Sequence, residues 1–249
     1  MPAATRIVVV GATSRIAEHC CRLWANAGSC EFVLVGRNAS YLDRIADDLR
    51  VRGAAVRTEA MVDFTDALAV GEAVARWAAD GAIDIAMIAH GVLPEQTACQ
   101  SDLALTRATI AVNALSPALF AEAFATAMTA AGKGTIAMLG SVAGDRGKRS
   151  NYTYGAAKGL VERYAEGLQH RFARGPLKVV LIKPGPTDTP MSARYKEGGR
   201  RVAPVDAVAA DIVEAVKKGR PVTYSPSYWR PVMFVIRALP NFVFNRLNI

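Results

Sequence analysis

Four consecutive β-branched residues, Ile7-Val-Val-Val10, run directly into Gly11-Ala-Thr-Ser14, after which Ile16, Cys20, Leu23 and Trp24 recur at helical spacing. A strand that is apolar on both faces must be covered on both faces, and a helix starting a few residues later supplies one cover. The alternation repeats along the chain. Strands are expected near Phe32 to Val35, Val56 to Glu59, Ile83 to Ile88, Thr135 to Leu139, Lys178 to Ile182 and Val222 to Tyr224. Helices are expected near Ala39 to Arg52, Ala67 to Ala79, Tyr152 to Ala173 and Pro204 to Lys218, and an Ala-rich segment runs from about Leu103 to Ala131. Seven strands in βα order predict one α/β unit, a doubly wound parallel sheet.

The 249 residues are 51% hydrophobic and 21% charged, enough to bury a large core, which excludes disorder and coiled coil. Cys20, Cys21, Cys30 and Cys99 show no C-x-x-C spacing and are expected as reduced thiols, and the three histidines fall in no metal-ligand pattern, so no metal site is predicted. The N-terminus lacks the pattern of a signal peptide, and no run of about 20 uninterrupted apolar residues stands out as a spanning helix. A cytoplasmic protein is the expectation. Its 30 Lys and Arg exceed its 22 Asp and Glu, and the excess is uneven: residues 1–140 carry 11 basic and 14 acidic side chains, residues 141–249 carry 19 and 8. That asymmetry points to an anionic partner for the second half. Nucleic acid is not expected, since no recognition motif accompanies the charge.

Gly11 stands where a doubly wound sheet offers backbone N–H groups and a helix N-terminus to a pyrophosphate. The G-x-G-x-x-G spacing is absent, so this turn alone does not identify a nucleotide site. The second strand ends Val35-Gly36-Arg37, with no carboxylate placed to bind a ribose 2′-hydroxyl. A guanidinium there, with Arg15 on the glycine turn, favours a 2′-phosphate, so NADP(H) is expected ahead of NAD(H).

Tyr154 and Lys158 lie one turn apart on a helix, and Ser141 follows the fifth strand. An ammonium near a phenol lowers its pKa, which suits Tyr to acid and base work near neutrality. With Gly11, Asp63 after the third strand, Asn113 in Val-Asn-Ala, Ser141-Val-Ala-Gly, Tyr154-Gly-Ala-Ala-Lys158 and Pro184-Gly185 followed by Thr189, the chain resembles the short-chain dehydrogenase/reductase family to about residue 220. The resemblance implies a Rossmann-like fold with strand order 3-2-1-4-5-6-7. It implies Tyr154 as general acid, Ser141 polarising a carbonyl, Lys158 holding the nicotinamide ribose and lowering the Tyr154 pKa, and Asn113 anchoring a relay water. Cofactor contacts are implied for Gly11, Thr13, Ser14, Arg15, Ile16, Arg37, Asp63, Gly91, Tyr154, Lys158, Pro184, Gly185, Thr187 and Thr189, with Asp63 at the adenine and Thr189 at the carboxamide. Two departures are visible: Arg15 and Ala17 replace glycines of the usual turn, and Ile88-Ala-His-Gly91 keeps only the glycine of the family's Asn-Asn-Ala-Gly. His90 is expected as a structural hydrogen-bonding residue.

From Ser141 onward the sequence is also similar to the decaprenylphosphoryl-2-keto-ribose reductases, NAD(P)H-dependent partners of a flavin oxidase in epimerising a polyprenyl-phosphate-linked ribose. That likeness implies a phosphorylated lipid-linked keto-pentose as substrate, a flavin oxidase as partner and a role in cell-wall biogenesis. Residues 221–249, a basic aromatic segment following the 1–220 unit, carry Tyr224, Tyr228, Trp229, Phe234, Phe242 and Phe244 with Arg230, Arg237 and Arg246 and no acidic residue. Such an amphipathic tail suits the inner membrane surface, a lipid substrate, or packing on the sheet or another subunit. Arg146, Lys148 and Arg149, with Arg194, Lys196, Arg200 and Arg201, are candidates for a substrate phosphate. A homodimer or homotetramer is expected from the family. Two other readings stay open: reduction of a soluble carbonyl compound such as a 3-oxoacyl thioester, and a non-catalytic NADP-binding interaction protein.

Overall fold

The strand residues sort by parity. In a computed structural model describing residues 4–247, β1 (Thr5–Val10) turns Ile7 and Val9 to one layer of helices and Val8 and Val10 to the other, all fully buried. Residues 1–3 and 248–249, the two extremities of the expected segments, lie outside the described residues. β1 is followed by α1 (Arg15–Ala27), β2 (Cys30–Gly36), α2 (Ala39–Val51), β3 (Ala55–Ala60), α3 (Ala67–Ala79) and β4 (Ile85–Ile88). Then come α4 (Gln96–Ser101), α5 (Leu103–Ile110), α6 (Ser116–Ala131), β5 (Gly134–Leu139), α7 (Tyr152–Arg171) and β6 (Leu177–Pro184). The chain ends with α8 (Ala193–Glu197), α9 (Val205–Lys218), β7 (Val222–Ser225), α10 (Trp229–Ala238) and α11 (Asn241–Phe244).

The seven strands form one parallel sheet in the order 3-2-1-4-5-6-7. β1 and β4 lie side by side at the reversal of strand order, where their carboxyl ends open a crevice. One layer packs α1, α2 and α9 on Ile7, Val9, Phe32 and Leu34, and the other packs α3, α6 and α7 on Val8, Val10, Val33 and Val35. Each such side chain contributes about 1.5–3 kcal/mol on burial. β7, inside the tail segment, closes the sheet by pairing with β6.

The Ala-rich segment is not one regular helix. Asp102 caps α5 by accepting from the amides of Ala104 and Leu105 at 2.8 and 3.0 Å, and a π-helical turn at Ala111–Leu115 joins α5 to α6. The run Leu103–Ala131 has the length and apolarity of a membrane span, which the sequence reading did not pick out. Phe120, Phe124 and Met128 of this run are buried against the sheet, which accounts for its composition. The four cysteines are buried and unpaired.

Candidate active site

Backbone dictates the first part of the site. Gly11 has φ +82°, and a Cβ on it would lie 2.5 Å from the His90 amide nitrogen, so only glycine lets the β1–α1 turn pass so close to the end of β4. The Ser14 side chain makes no capping bond, so the first-turn amides of α1 keep their hydrogen-bonding capacity toward the crevice. Arg37, exposed at the tip of β2, has no carboxylate in ion-pair range among the described residues, whereas Arg15 pairs with Glu18 at 3.2 Å. Asp63 follows β3; hydrogen bonds from the Thr65 hydroxyl (2.6 Å) and amide (2.7 Å) hold its carboxyl below the usual range.

The second part is assembled from distant elements. Ser141 lies at the end of β5 in extended conformation, its Oγ accepting from the Ala143 amide at 3.1 Å. α7 packs on this loop because Gly155 carries no Cβ, which would lie 2.9 Å from the Ala143 carbonyl oxygen. Tyr154 and Lys158 thereby face Ser141. The Ser141 hydroxyl hydrogen-bonds the Tyr154 phenol, and Lys158 Nζ donates to the Leu139 carbonyl at 2.7 Å and lies 5.8 Å from the Tyr154 ring centre.

Burial governs the titration of these groups. It pushes the Tyr154 phenol up to about 12, against the Ser141 hydrogen bond, and pushes the Lys158 ammonium down to about 8. The expected net lowering of the Tyr154 pKa is therefore corrected: removal of the phenol from water is the largest influence, and the neighbouring Tyr195 adds to it. His90 is pushed down to about 3, first by burial and then by the charges of Lys158 and Arg37. Its neutral ring shares a 2.8 Å hydrogen bond with Ser116 Oγ and packs edge-on against Phe64 and Phe120, the structural place expected for it.

A single cleft of about 860 Å³ runs past all of this. Gly11, Thr13, Ser14, Arg15, Ile16, Arg37, Asp63 and Gly91 line one end, and Ser141, Tyr154, Lys158, Pro184, Gly185, Thr187 and Thr189 line the other. Of the residues expected to act in catalysis or to hold the cofactor, Asn113 alone does not line it. Its side-chain amide is fully buried in the π-turn, accepting from the Val92 amide and donating to the Val92 and Thr109 carbonyls at 2.8–3.0 Å, so both of its N–H donors are used in fixing backbone.

The candidate phosphate ligands divide in the same way. Arg146 is corrected: its guanidinium is taken up by backbone carbonyls near the end of α10 and by Asn241. Arg194 pairs with Glu95, and Lys196 with Asp188 at 2.8 Å. Lys148 and Arg200 line the cleft, with no carboxylate partner among the described residues, and burial followed by the Arg200 charge lowers the Lys148 pKa.

Sequence reasoning missed three features. Trp229 of the tail lines the cleft beside Gly185. Asn151, at the start of α7, also lines it and is buried. Beneath the Ser141 loop, Lys183 of β6 is buried between Asp145 and Glu162, and the Tyr224 hydroxyl donates to Asp145 at 3.1 Å. Burial opposes the Lys183 charge, yet the two carboxylates hold its pKa above the ordinary lysine value. A lysine directly after the apolar run Val179-Val-Leu-Ile182 was the available signal.

The family model for short chain dehydrogenases matches residues 5–199. An uncharacterized oxidoreductase of Mycobacterium tuberculosis is 32% identical over 245 residues, covering 98% of this chain and 97% of that protein. A galactitol 2-dehydrogenase (L-tagatose-forming) of Cereibacter sphaeroides is 34% identical over 191 residues, 76% of this chain and 74% of its own length. Among solved structures, a short chain dehydrogenase from Burkholderia cenocepacia in complex with NADP superposes with a TM-score of 0.82 at 19% identity, covering 99% of this chain and 98% of that one. With the family model spanning most of the chain and the Ser141, Tyr154 and Lys158 side chains gathered in one cleft, the protein belongs to the short-chain dehydrogenase/reductase family.

Proposed function

We propose that the protein is an NADP(H)-dependent oxidoreductase that interconverts a ketone and a secondary alcohol on a small hydroxylated substrate. The observation that carries this reading is the contact set around Tyr154, with the Ser141 hydroxyl on the phenol oxygen and Lys158 beside its ring, in the same cleft as the glycine turn. The crevice fits a dinucleotide. First-turn amides of α1 suit the pyrophosphate, Arg37 and Arg15 suit a 2′-phosphate, and Lys158 and the Gly185–Thr189 loop lie toward the reacting end. The likeness to an NADP-bound structure supports the same choice.

The bound dinucleotide supplies the hydride in reduction and accepts it in oxidation. Tyr154 gives its proton to the carbonyl oxygen of the substrate, and a phenol kept protonated by burial is suited to that role. Ser141 donates a hydrogen bond to the charge developing on that oxygen. Lys158, charged below about pH 8, stabilises the phenolate left on Tyr154. The galactitol relative supports a hydroxylated, unphosphorylated substrate.

A second reading, favoured by a separate observation, is reduction of a keto-pentose linked to a polyprenyl phosphate at the membrane surface. Lys148 and Arg200 in the cleft have no carboxylate partner among the described residues, and α10 and α11 expose Phe234 and Phe242, 76% and 70% accessible, beside Arg230, Arg237 and Arg246. NADPH oxidation measured with soluble hydroxy ketones and with the lipid-linked keto-pentose in detergent separates the two. Turnover of the soluble compounds alone rejects the lipid reading, and turnover of neither rejects both. Liposome flotation of the Phe234→Ser, Phe242→Ser double variant gives an independent check, because neither side chain lines the cleft.

A further inference from the structure

The mechanism leaves one buried charged cluster without a task. Lys183 shares the parity of Leu177, Val179 and Leu181 along β6, so it turns toward the α7 layer, where those three pack among apolar side chains. Its register partner on β7 is Tyr224. There the Lys183 ammonium meets the carboxylates of Asp145 and Glu162, and the side chains of Lys183, Asp145 and Glu162 are 2%, 0% and 7% exposed. The Tyr224 hydroxyl donates to Asp145 at 3.1 Å, and its ring centre lies 4.8 Å from Lys183 Nζ. None of the four residues lines the cleft, so the cluster can act on the reaction only through other groups.

Each charged member sits next to a different part of the reacting end. Asp145 closes the 3₁₀ turn Val142–Gly144 that begins at Ser141. Glu162 lies one helical turn beyond Lys158 on α7, as Lys158 lies one turn beyond Tyr154. Lys183 directly precedes Pro184 and Gly185, which line the cleft. Between the Ser141 loop and α7 the contact is backbone on backbone: a Cβ on Gly144 would lie 2.9 Å from the Lys158 carbonyl carbon, and one on Gly155 2.9 Å from the Ala143 carbonyl oxygen. A seam of glycines fixes how close the two segments come, but it has few interlocking side chains to fix their register. Charge-assisted hydrogen bonds from one ammonium to both segments supply that register. Stability alone does not account for the cluster, because a buried ion pair is often no more stabilising than apolar residues of the same volume.

We infer that Lys183 is a positioning residue for the reaction: by binding Asp145 and Glu162 at once, it aligns Ser141 with Tyr154 and Lys158. The inference rests on the ketone reductase reading above, and it assigns the buried cluster to the chemical step and not to nucleotide binding.

The test measures NADPH oxidation with whichever ketone class above the wild type reduces. Lys183→Met strands two carboxylates and should be unstable. The triple variant Lys183→Met/Asp145→Asn/Glu162→Gln leaves no charge stranded, so its Tm should recover toward the wild type, with the NADPH Kd and the ketone KM within about twofold of it. Its kcat should stay about ten- to a hundredfold down, as for an ångström-scale misplacement of reacting groups. The isotope effect on kcat, with NADPH deuterated at nicotinamide C4, should rise as the chemical step becomes limiting. Tyr224→Phe keeps every charge and removes one hydrogen bond to Asp145; it should lower kcat about threefold, less than the full value of that bond, with Tm and NADPH binding little altered. Recovery of kcat together with Tm in the triple variant, a kcat loss matched by an equal loss of NADPH affinity, or an unchanged kcat and isotope effect in Tyr224→Phe overturns the inference. If the triple variant does not fold, Tyr224→Phe decides alone. A wild type that binds NADPH tightly yet oxidises it with no ketone brings down the reductase reading instead, which separates the two failures.

Discussion

The two ends of the cleft are built on different principles. The end at the glycine turn is local: Gly11 to Ile16 are consecutive, Arg37 and Asp63 follow the next two strands, and their places come from backbone turns at strand tips. The end that carries Tyr154 is composite, drawing Ser141 from β5, Lys158 from α7, Thr187 and Thr189 from the loop after β6, and Trp229 from the tail. It rests on the buried Lys183 cluster, whereas the local end rests on apolar packing. The difference means that nucleotide binding should tolerate damage that abolishes chemistry, and each end can be perturbed separately.

The largest separation should come from Tyr154→Phe. Turnover is expected to fall by about a hundred- to ten-thousandfold, the range for loss of a general acid, while NADPH titrated by its fluorescence binds as before. Lys183→Met should strike the foundation of the composite end. It leaves Asp145 and Glu162 buried without their cation, and urea unfolding should show a loss of about 3–5 kcal/mol.

A smaller change should appear at the local end. Arg37→Asp removes the unpaired guanidinium and places a carboxylate where a 2′-phosphate would lie. The ratio of kcat/KM for NADPH to that for NADH should fall by about ten- to a hundredfold, as for loss of a charge-assisted hydrogen bond, with Tm little altered. The mildest test is pH. Lys158 is pushed down to about 8, so it is an ammonium below that value and neutral above it, and kcat/KM for ketone reduction should decline as pH rises through about 8. A reduction rate that is flat from pH 7 to 10 would show that the Lys158 charge does not support Tyr154.

Much of this architecture was legible in the chain. Five apolar runs and two mixed ones, separated by helical periodicity, specify a parallel sheet with two covers, because side-chain alternation and burial are local consequences of residue type. Tyr154 and Lys158 were readable as a pair because one helical turn joins them, and Gly11 because a turn at a strand end has few solutions. Lys148 and Arg200 could not be told from Arg146, Arg194 and Lys196. All five are cations in the basic second half, and only the folded chain shows which have been claimed by a carbonyl, by Glu95 or by Asp188.

Residue order therefore settles the sheet, the glycine turn and the spacing of the reacting groups, since each depends on neighbours within a few positions. The direction of the Tyr154 shift, the withdrawal of Asn113 into the backbone, the Arg146 hold on α10 and the arrival of Trp229 in the cleft depend on contacts across long stretches of chain. Burial and hydrogen-bond partnership exist only once those distant segments meet, which is why the same aromatic tail could be read as a membrane surface or as a wall of the active site until it was folded.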